Sequence, residues 1–182
     1  MPELPEVEVS RLGLEPLLCG KTVRGVVSRN RQLRWPIPEN LGEILSGRTL
    51  HAVIRRGKYL LFDFRVNGSG WLLLHLGMSG SLRVLTREEL PRPHDHLDIL
   101  FSGDNVLRLR DPRRFGLVDW IPASLPGEHP LIAGLGVEPL TEHFDNPFLH
   151  DLCRKRRTPV KSLIMNARLI VGIGNIYAAE SL

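Results

Sequence analysis

Tyr59-Leu60-Leu61-Phe62-Asp63-Phe64 is the stretch on which the fold turns. Leu60, Phe62 and Phe64 alternate with Tyr59, Leu61 and Asp63, the period of two that sends successive side chains to opposite faces of a strand. Leu97, Ile99 and Phe101 alternate in the same way against His96, Asp98 and Leu100. Working outward, the same period marks residues 21–27, 48–54, 71–76, 81–85, 106–109 and 117–121 as further strands. Short turns rich in Gly, Asn, Asp and Pro separate many of them. Short strands at this spacing, with no helix between them, predict an antiparallel sandwich or barrel.

The segments flanking this block read differently. Residues 5–18 have a helical period, with Leu4, Val7, Leu14 and Leu18 on one stripe and Arg11 its only polar member. Residues 122–139 form a Pro/Gly-rich connection and read as a domain boundary. Beyond it Phe144, Phe148 and Leu152 recur every four residues. Thr158-Pro159 suits a helix start, with Thr as cap and Pro in the first position, and Asn175 suits the cap of a last helix.

At 182 residues and 42% hydrophobic composition the chain can bury a real core. No apolar run reaches membrane-spanning length, and the acidic N-terminus is not that of a signal peptide. Cys19 and Cys153 are far apart, which excludes a Cys-based zinc site within the chain and fits a reducing, cytoplasmic setting. The net charge of +4 is unevenly spread. Arg55-Arg56-Gly57-Lys58, then Arg108, Arg110, Arg113 and Arg114, then Arg154-Lys155-Arg156-Arg157 with Lys161, form three basic clusters that raise the odds of a polyanionic partner such as nucleic acid.

Several positions could carry chemistry. If Met1 is removed, Pro2 ends the chain with a secondary amine. An α-amino group titrates near about 7.7–8, against about 10.4 for Lys, so far more of it is neutral and nucleophilic at pH 7. Glu3 and Glu6 could handle protons beside it, although Pro5, Glu6 and Glu8 also suit a plain helix start. Lys58 follows two arginines, whose charge could lower its pKa. The turn Asp111-Pro112-Arg113-Arg114-Phe115-Gly116 could offer Arg to bases or phosphates and an apolar wedge to a base stack; equally, its Phe could pack back onto the sheet. Met78, at the tip of Leu76-Gly77-Met78-Ser79-Gly80, could fill a void beside a stacked base. His94, His96 and Asp98 have a spacing that could hold a metal, but a strand edge facing solvent or phosphate is the favoured reading. Gly172-Ile173-Gly174-Asn175 lacks the third Gly of a dinucleotide fingerprint and reads as a backbone clamp on nucleic acid.

Together these motifs make the chain resemble the formamidopyrimidine-DNA glycosylase family of bacterial base-excision repair enzymes. The matching pieces are Met-Pro-Glu-Leu-Pro-Glu-Val-Glu at the start, Arg-Gly-Lys-Tyr-Leu around Lys58, His-Leu-Gly-Met-Ser-Gly around Met78, His-Asp-His at 94–96, Asp-Pro-Arg-Arg-Phe-Gly at 111–116 and Val-Gly-Ile-Gly-Asn-Ile-Tyr-Ala at 171–178. The resemblance implies an α+β fold: an N-terminal helix with a two-sheet antiparallel β-sandwich over 1–128, then a helix–two-turns–helix domain from 129 to 182. It implies a monomeric glycosylase and AP lyase acting on damaged double-stranded DNA that carries oxidised purines. Pro2 would be the Schiff-base nucleophile, Glu3 the general acid/base and Lys58 a proton donor for elimination. Met78, Arg113 and Phe115 would fill the gap left by a flipped base, and Glu6, His94, Arg156, Lys161 and Asn175 would hold the substrate and its backbone. The family's four-Cys zinc finger does not occur here, so no metal or cofactor is expected in this chain, and a fragment of about two-thirds of an enzyme is expected. Two local departures are Gly-Val-Glu-Pro-Leu at 136–140, for Gly-Pro-Glu-Pro-Leu, and Asn166, where an Asp is more usual. The competing readings are the endonuclease eight-like group, which prefers oxidised pyrimidines, and a DNA-binding fragment without turnover.

Overall fold

A computed structural model describes residues 1–65, 70–87, 89–122, 126–154 and 156–182. Helix α1 (Leu4–Leu18) is followed by β1 (Val23–Ser28), the short α2 (Leu41–Leu45), and strands β2 (Ala52–Arg56), β3 (Tyr59–Asp63), β4 (Gly70–His75), β5 (Ser81–Thr86), β6 (Asp95–Phe101), β7 (Asn105–Arg110) and β8 (Leu117–Pro122). Helices α3 (Pro130–Ala133), α4 (Asn146–Arg154), α5 (Val160–Ile164) and α6 (Asn175–Glu180) complete the order. The strands form two four-stranded sheets, β1-β6-β7-β5 and β2-β3-β4-β8. Every pairing among these eight strands is antiparallel. This is the sandwich and not the barrel.

The alternation in β3 decides which residues meet between the sheets. Leu60, Phe62 and Phe64 join Leu72 and Leu74 of β4, Leu97 and Ile99 of β6, and Leu107 and Leu109 of β7 in one buried cluster. Val7, Leu14 and Leu18 of α1 complete it, the stripe expected of that helix. Each such side chain contributes about 1.5–3 kcal/mol through burial. The opposite face of β3 is also covered. Leu61 packs with Trp71, Leu73, Leu117, Ile121 and Ile132. Ile132 belongs to α3, so the described part of the Pro/Gly-rich stretch holds a helix that seals the outer face of the second sheet; 123–125 lie outside the described residues.

Two local expectations need correction, and one helix had no sequence signal. Pro159, not Thr158, is the residue before α5. Gly174, not Asn175, precedes α6, and Asn175 is its first residue. Helix α2 had no signal beyond Leu41 and Leu45, too short a pattern to carry a period. Helix α4 covers the Phe148 and Leu152 repeat, and its apolar side meets Ile164, Ile170 and Ala178. Among the described residues no helix is long and apolar enough to cross a membrane.

Candidate active site

The first residues of the chain are fastened to its last helix. The Leu4 N–H donates to the Gly172 carbonyl at 3.0 Å. The fully buried Glu3 carboxylate accepts from the backbone N–H groups of Gly174 at 2.7 Å, Ile176 at 2.9 Å and Tyr177 at 3.3 Å. From the sequence, those amides are expected to clamp a nucleic-acid backbone. Instead an anion of the chain itself takes them, because unpaired N–H groups at a helix start attract whichever carboxylate the fold brings there. The glycines permit the approach. A Cβ on Gly174 would lie 2.5 Å from Glu3 Cδ and 2.7 Å from Lys58 Nζ, and one on Gly172 would lie 2.6 Å from Leu4 Cδ1. Glu3, Lys58 and Gly174 therefore converge on one point, with half-buried Pro2 next to Glu3 in the chain.

Glu6 continues this network. One carboxylate oxygen accepts the Glu3 N–H at 2.8 Å and the other the Tyr177 hydroxyl at 3.0 Å. The Glu3 N–H bond is the largest influence on the Glu6 carboxyl, which sits below its ordinary pKa despite the opposing effect of burial. The position of the Tyr177 hydroxyl was not legible from sequence, since Tyr177 appears there only as a residue of the Gly-Asn motif.

Lys58 sits at the β2–β3 turn, and its pKa is lowered chiefly by burial, with Glu3 and then Glu6 opposing. The neighbouring arginines are not the cause. Arg55 donates to Glu8 and Glu138, each at 2.8 Å. Arg56 donates to Glu138 at 3.1 Å and to the carbonyls of Leu135 and Gly136 at 2.9 and 2.6 Å. The Gly57 N–H adds a 2.6 Å bond to Glu138. This basic cluster is thus an internal fastening between the hairpin and residues 135–138, not a surface for a polyanion. Lys58 lines a cavity of about 170 Å³ with Tyr59, His75, Met165, Ala167 and Ile173. His75 is pushed down to about 4 by burial first and by the Arg34 and Lys58 charges next.

The two turns expected to act as a wedge lie against each other. Asp111, fully buried, accepts from the Ser79 hydroxyl at 2.6 Å and from the Gly116 N–H at 2.7 Å. Ser79 Oγ in turn accepts the Arg113 N–H at 3.1 Å. Gly77, at φ 63°, brings the turns into backbone contact: a Cβ there would lie 2.4 Å from the Phe115 carbonyl carbon. Met78, Arg113 and Phe115 all remain exposed. Phe115 does not pack back onto the sheet. It carries the Arg113 guanidinium over its ring at 4.8 Å instead.

The remaining expected residues are dispersed. Exposed His94 adopts φ 74° just before β6. His96 bonds the Asp111 carbonyl at 2.8 Å, and Asp98 pairs with Arg108. A register shift between Asp95 and Leu97 breaks the face the three would have shared. Among the described residues no group of three or more His, Cys, Asp or Glu could hold a metal ion. Arg108 is buried in this pairing rather than offered outward. Arg154, Arg156 and Arg157 are exposed and Lys161 partly so, while Lys155 lies outside the described residues. Asn175 is exposed.

Two family profiles match this chain: the formamidopyrimidine-DNA glycosylase N-terminal domain over residues 1–118 and that family's H2TH domain over 135–182. The chain belongs to the formamidopyrimidine-DNA glycosylase family. Formamidopyrimidine-DNA glycosylases of Thiobacillus denitrificans and Methylococcus capsulatus are 55% and 53% identical over 182 residues, all of this chain and 66% of each relative. The chain thus spans just under two-thirds of their length. A Lactococcus lactis formamidopyrimidine-DNA glycosylase bound to DNA with an AP site superposes with a TM-score of 0.87 at 32% identity, over 98% of this chain and 67% of that one. A MutM complex with DNA containing carbocyclic 8-oxoguanine superposes equally well at 34% identity, over 98% and 66%. The lactococcal enzyme also forms a complex with DNA containing an oxidised pyrimidine, with a TM-score of 0.87 at 32% identity over 97% and 65%.

Within this family member, sequence reasoning missed Glu138, Asp111, Ser79 and His75 as site-builders. Glu138 was visible only as part of a five-residue motif, and nothing local says which arginines it will meet.

Proposed function

We propose that the chain excises oxidised purines such as 8-oxoguanine and formamidopyrimidines from duplex DNA and then cleaves the strand by elimination. The observation that carries this reading is the convergence of Glu3 and Lys58 on Gly174, beside Pro2 and the Lys58 cavity. On removal of Met1 the Pro2 nitrogen lone pair attacks C1′ of the damaged nucleotide. The C1′–base bond breaks, the base leaves with a proton, and an iminium links Pro2 to the opened sugar. Glu3 handles the protons of glycosidic cleavage and ring opening. Water takes the C2′ proton, the freed electron pair breaks the C3′–O bond and expels the 3′ phosphate, and Lys58, made a stronger acid by burial, donates its proton to the leaving phosphate. Met78, Arg113 and Phe115 enter the space vacated by the flipped nucleotide, Arg113 facing the orphaned base, and His94, Arg156, Lys161 and Asn175 hold the backbone. The chain works as a monomer and needs no metal or cofactor of its own for these steps.

Borohydride trapping on an 8-oxoguanine duplex, with the N-terminal mass measured first, tests the reading. A chain lacking Met1 gives a covalent adduct that Pro2→Gly abolishes. An adduct formed equally well with Met1 retained refutes the N-terminal mechanism. A parallel duplex carrying thymine glycol tests the second reading, raised by the relative that binds an oxidised pyrimidine. Equal or greater cutting there would move the chain to pyrimidines, and binding to both without an adduct would leave a non-catalytic DNA-binding chain.

A further inference from the structure

The outer face of the first sheet carries arginines that the site does not use. Arg108 is held by Asp98 through bonds of 2.8 and 2.7 Å, and lies 3.6 Å from Asp95. Its charge is compensated. Arg83 stands directly opposite Arg108 in the β5–β7 register, and Arg110 opposite Ser81 on the same pair of strands. Because Asp98 already neutralises Arg108, Arg83 gains no carboxylate partner across the ladder, and the pairing gives the sheet no electrostatic reason to hold an Arg there. Arg92 completes the group. Its backbone is pinned by Asp95, which accepts the Arg92 N–H at 2.7 Å, while its side chain is exposed. Arg83, Arg92 and Arg110 border one shallow depression with Leu85, Glu89, Asp95 and Arg108, so four arginines there face two carboxylates, and among the described residues none of the three side chains makes an ion pair with either carboxylate.

The position of this group gives it direction. Arg110 immediately precedes Asp111, the buried hub of the wedge turns, and pairs with Asp95 next to His94. Arg92 precedes the turn in which His94 takes a left-handed conformation. Arg83 lies two residues further along the sheet, about 7 Å at the usual rise per residue. The stripe therefore begins at the wedge and runs away from it over the sheet. We propose that Arg83, Arg92 and Arg110 track the phosphates of one duplex arm beyond the lesion, a second electrostatic contact surface for undamaged DNA. The proposal rests on the reading that the wedge turns meet DNA.

The test is the salt dependence of binding to duplexes that extend well past the lesion on one side or the other. Each phosphate contact contributes about 0.9 to the slope of log affinity against log salt. The triple variant Arg83→Gln/Arg92→Gln/Arg110→Gln is expected to lower that slope by about two to three on one of the two duplexes and to leave it unchanged on a short duplex confined to the lesion. Arg24→Gln, on strand β1 at the opposite edge of the sheet, controls for net charge. An unchanged slope in the triple variant on both extended duplexes overturns the proposal, as does an equal loss per charge in Arg24→Gln. If the unaltered chain shows no salt-dependent duplex binding, the DNA reading of the wedge itself fails; retained binding with an unaltered slope removes the stripe alone.

Discussion

The Glu3 carboxylate accepts a 2.7 Å hydrogen bond from the backbone N–H of Gly174, joining residues 171 positions apart. This bond sets the start of the chain against the start of α6 and holds the residue beside Pro2 in one orientation. Glu3→Gln turns an acceptor into a mixed group facing three donors. It is expected to lose about 1–3 kcal/mol of stability, measured by denaturant unfolding, and to abolish the borohydride adduct. Stability unchanged from wild type would show that the amides do not depend on the carboxylate.

Gly174→Ala tests the same junction by volume. The backbone there, at φ −125°, suits any residue, so the effect is steric alone. A methyl group displaces Glu3 and Lys58 together. The expected result is an adduct yield down at least about tenfold with a stability loss of about 1–3 kcal/mol. Full adduct formation in Gly174→Ala would break the link between this contact and the chemistry.

Glu138 secures the hairpin that carries Lys58. Glu138→Gln leaves Arg55 and Arg56 with a neutral partner in a mostly buried place. Breaking such a pair costs about 3–5 kcal/mol when fully buried, and about half of that is expected here. The Glu138 carboxyl lies below its ordinary range because Arg55, the Gly57 N–H and Arg56 favour the charged form over the opposing effect of burial. Its contribution is therefore present above the ordinary carboxylate pKa and is lost as pH falls through the lowered one. Below the ordinary carboxylate pKa, stability measured by unfolding should fall less steeply in Glu138→Gln than in wild type.

His75 gives a second pH signature. Its Nδ1 accepts the Gly77 N–H at 2.9 Å, at the start of the Met78 turn. The folded pKa near 4 is below the unfolded value of 6.5. The unfolded state thus binds more protons between these values, so stability is complete above about pH 6.5 and falls as pH drops toward 4, by up to a few kcal/mol. His75→Asn should flatten this window. A slope that persists in the variant would assign it to another group.

The wedge should behave as one unit. Ser79→Ala removes the hydroxyl that links Asp111 to the Arg113 N–H and leaves Asp111 with one fewer donor. The expected cost is about 1–2 kcal/mol in stability. Base flipping, followed by a fluorescent base analogue at the lesion, should slow even though Met78, Arg113 and Phe115 are untouched. Unaltered flipping would mean that the turns act independently.

By itself the sequence determined the strands and the buried stripe of α1, because these follow from local periodicity; that Phe115 stays exposed and does not pack back onto the sheet was decided by the tertiary structure. Phe62 and Ile99 announce the core through the residues two places away. The motifs also sufficed for the family. Tertiary structure alone decided what each charge meets. Arg55 and Arg108 look like surface cations in the chain order, yet one is held by Glu8 and Glu138 and the other by Asp98. The Gly174 amides look ready for a phosphate, yet Glu3 takes them. Electrostatic partners are chosen by distance in space, and the register of two sheets and the docking of residues 171 apart are not written in any local period.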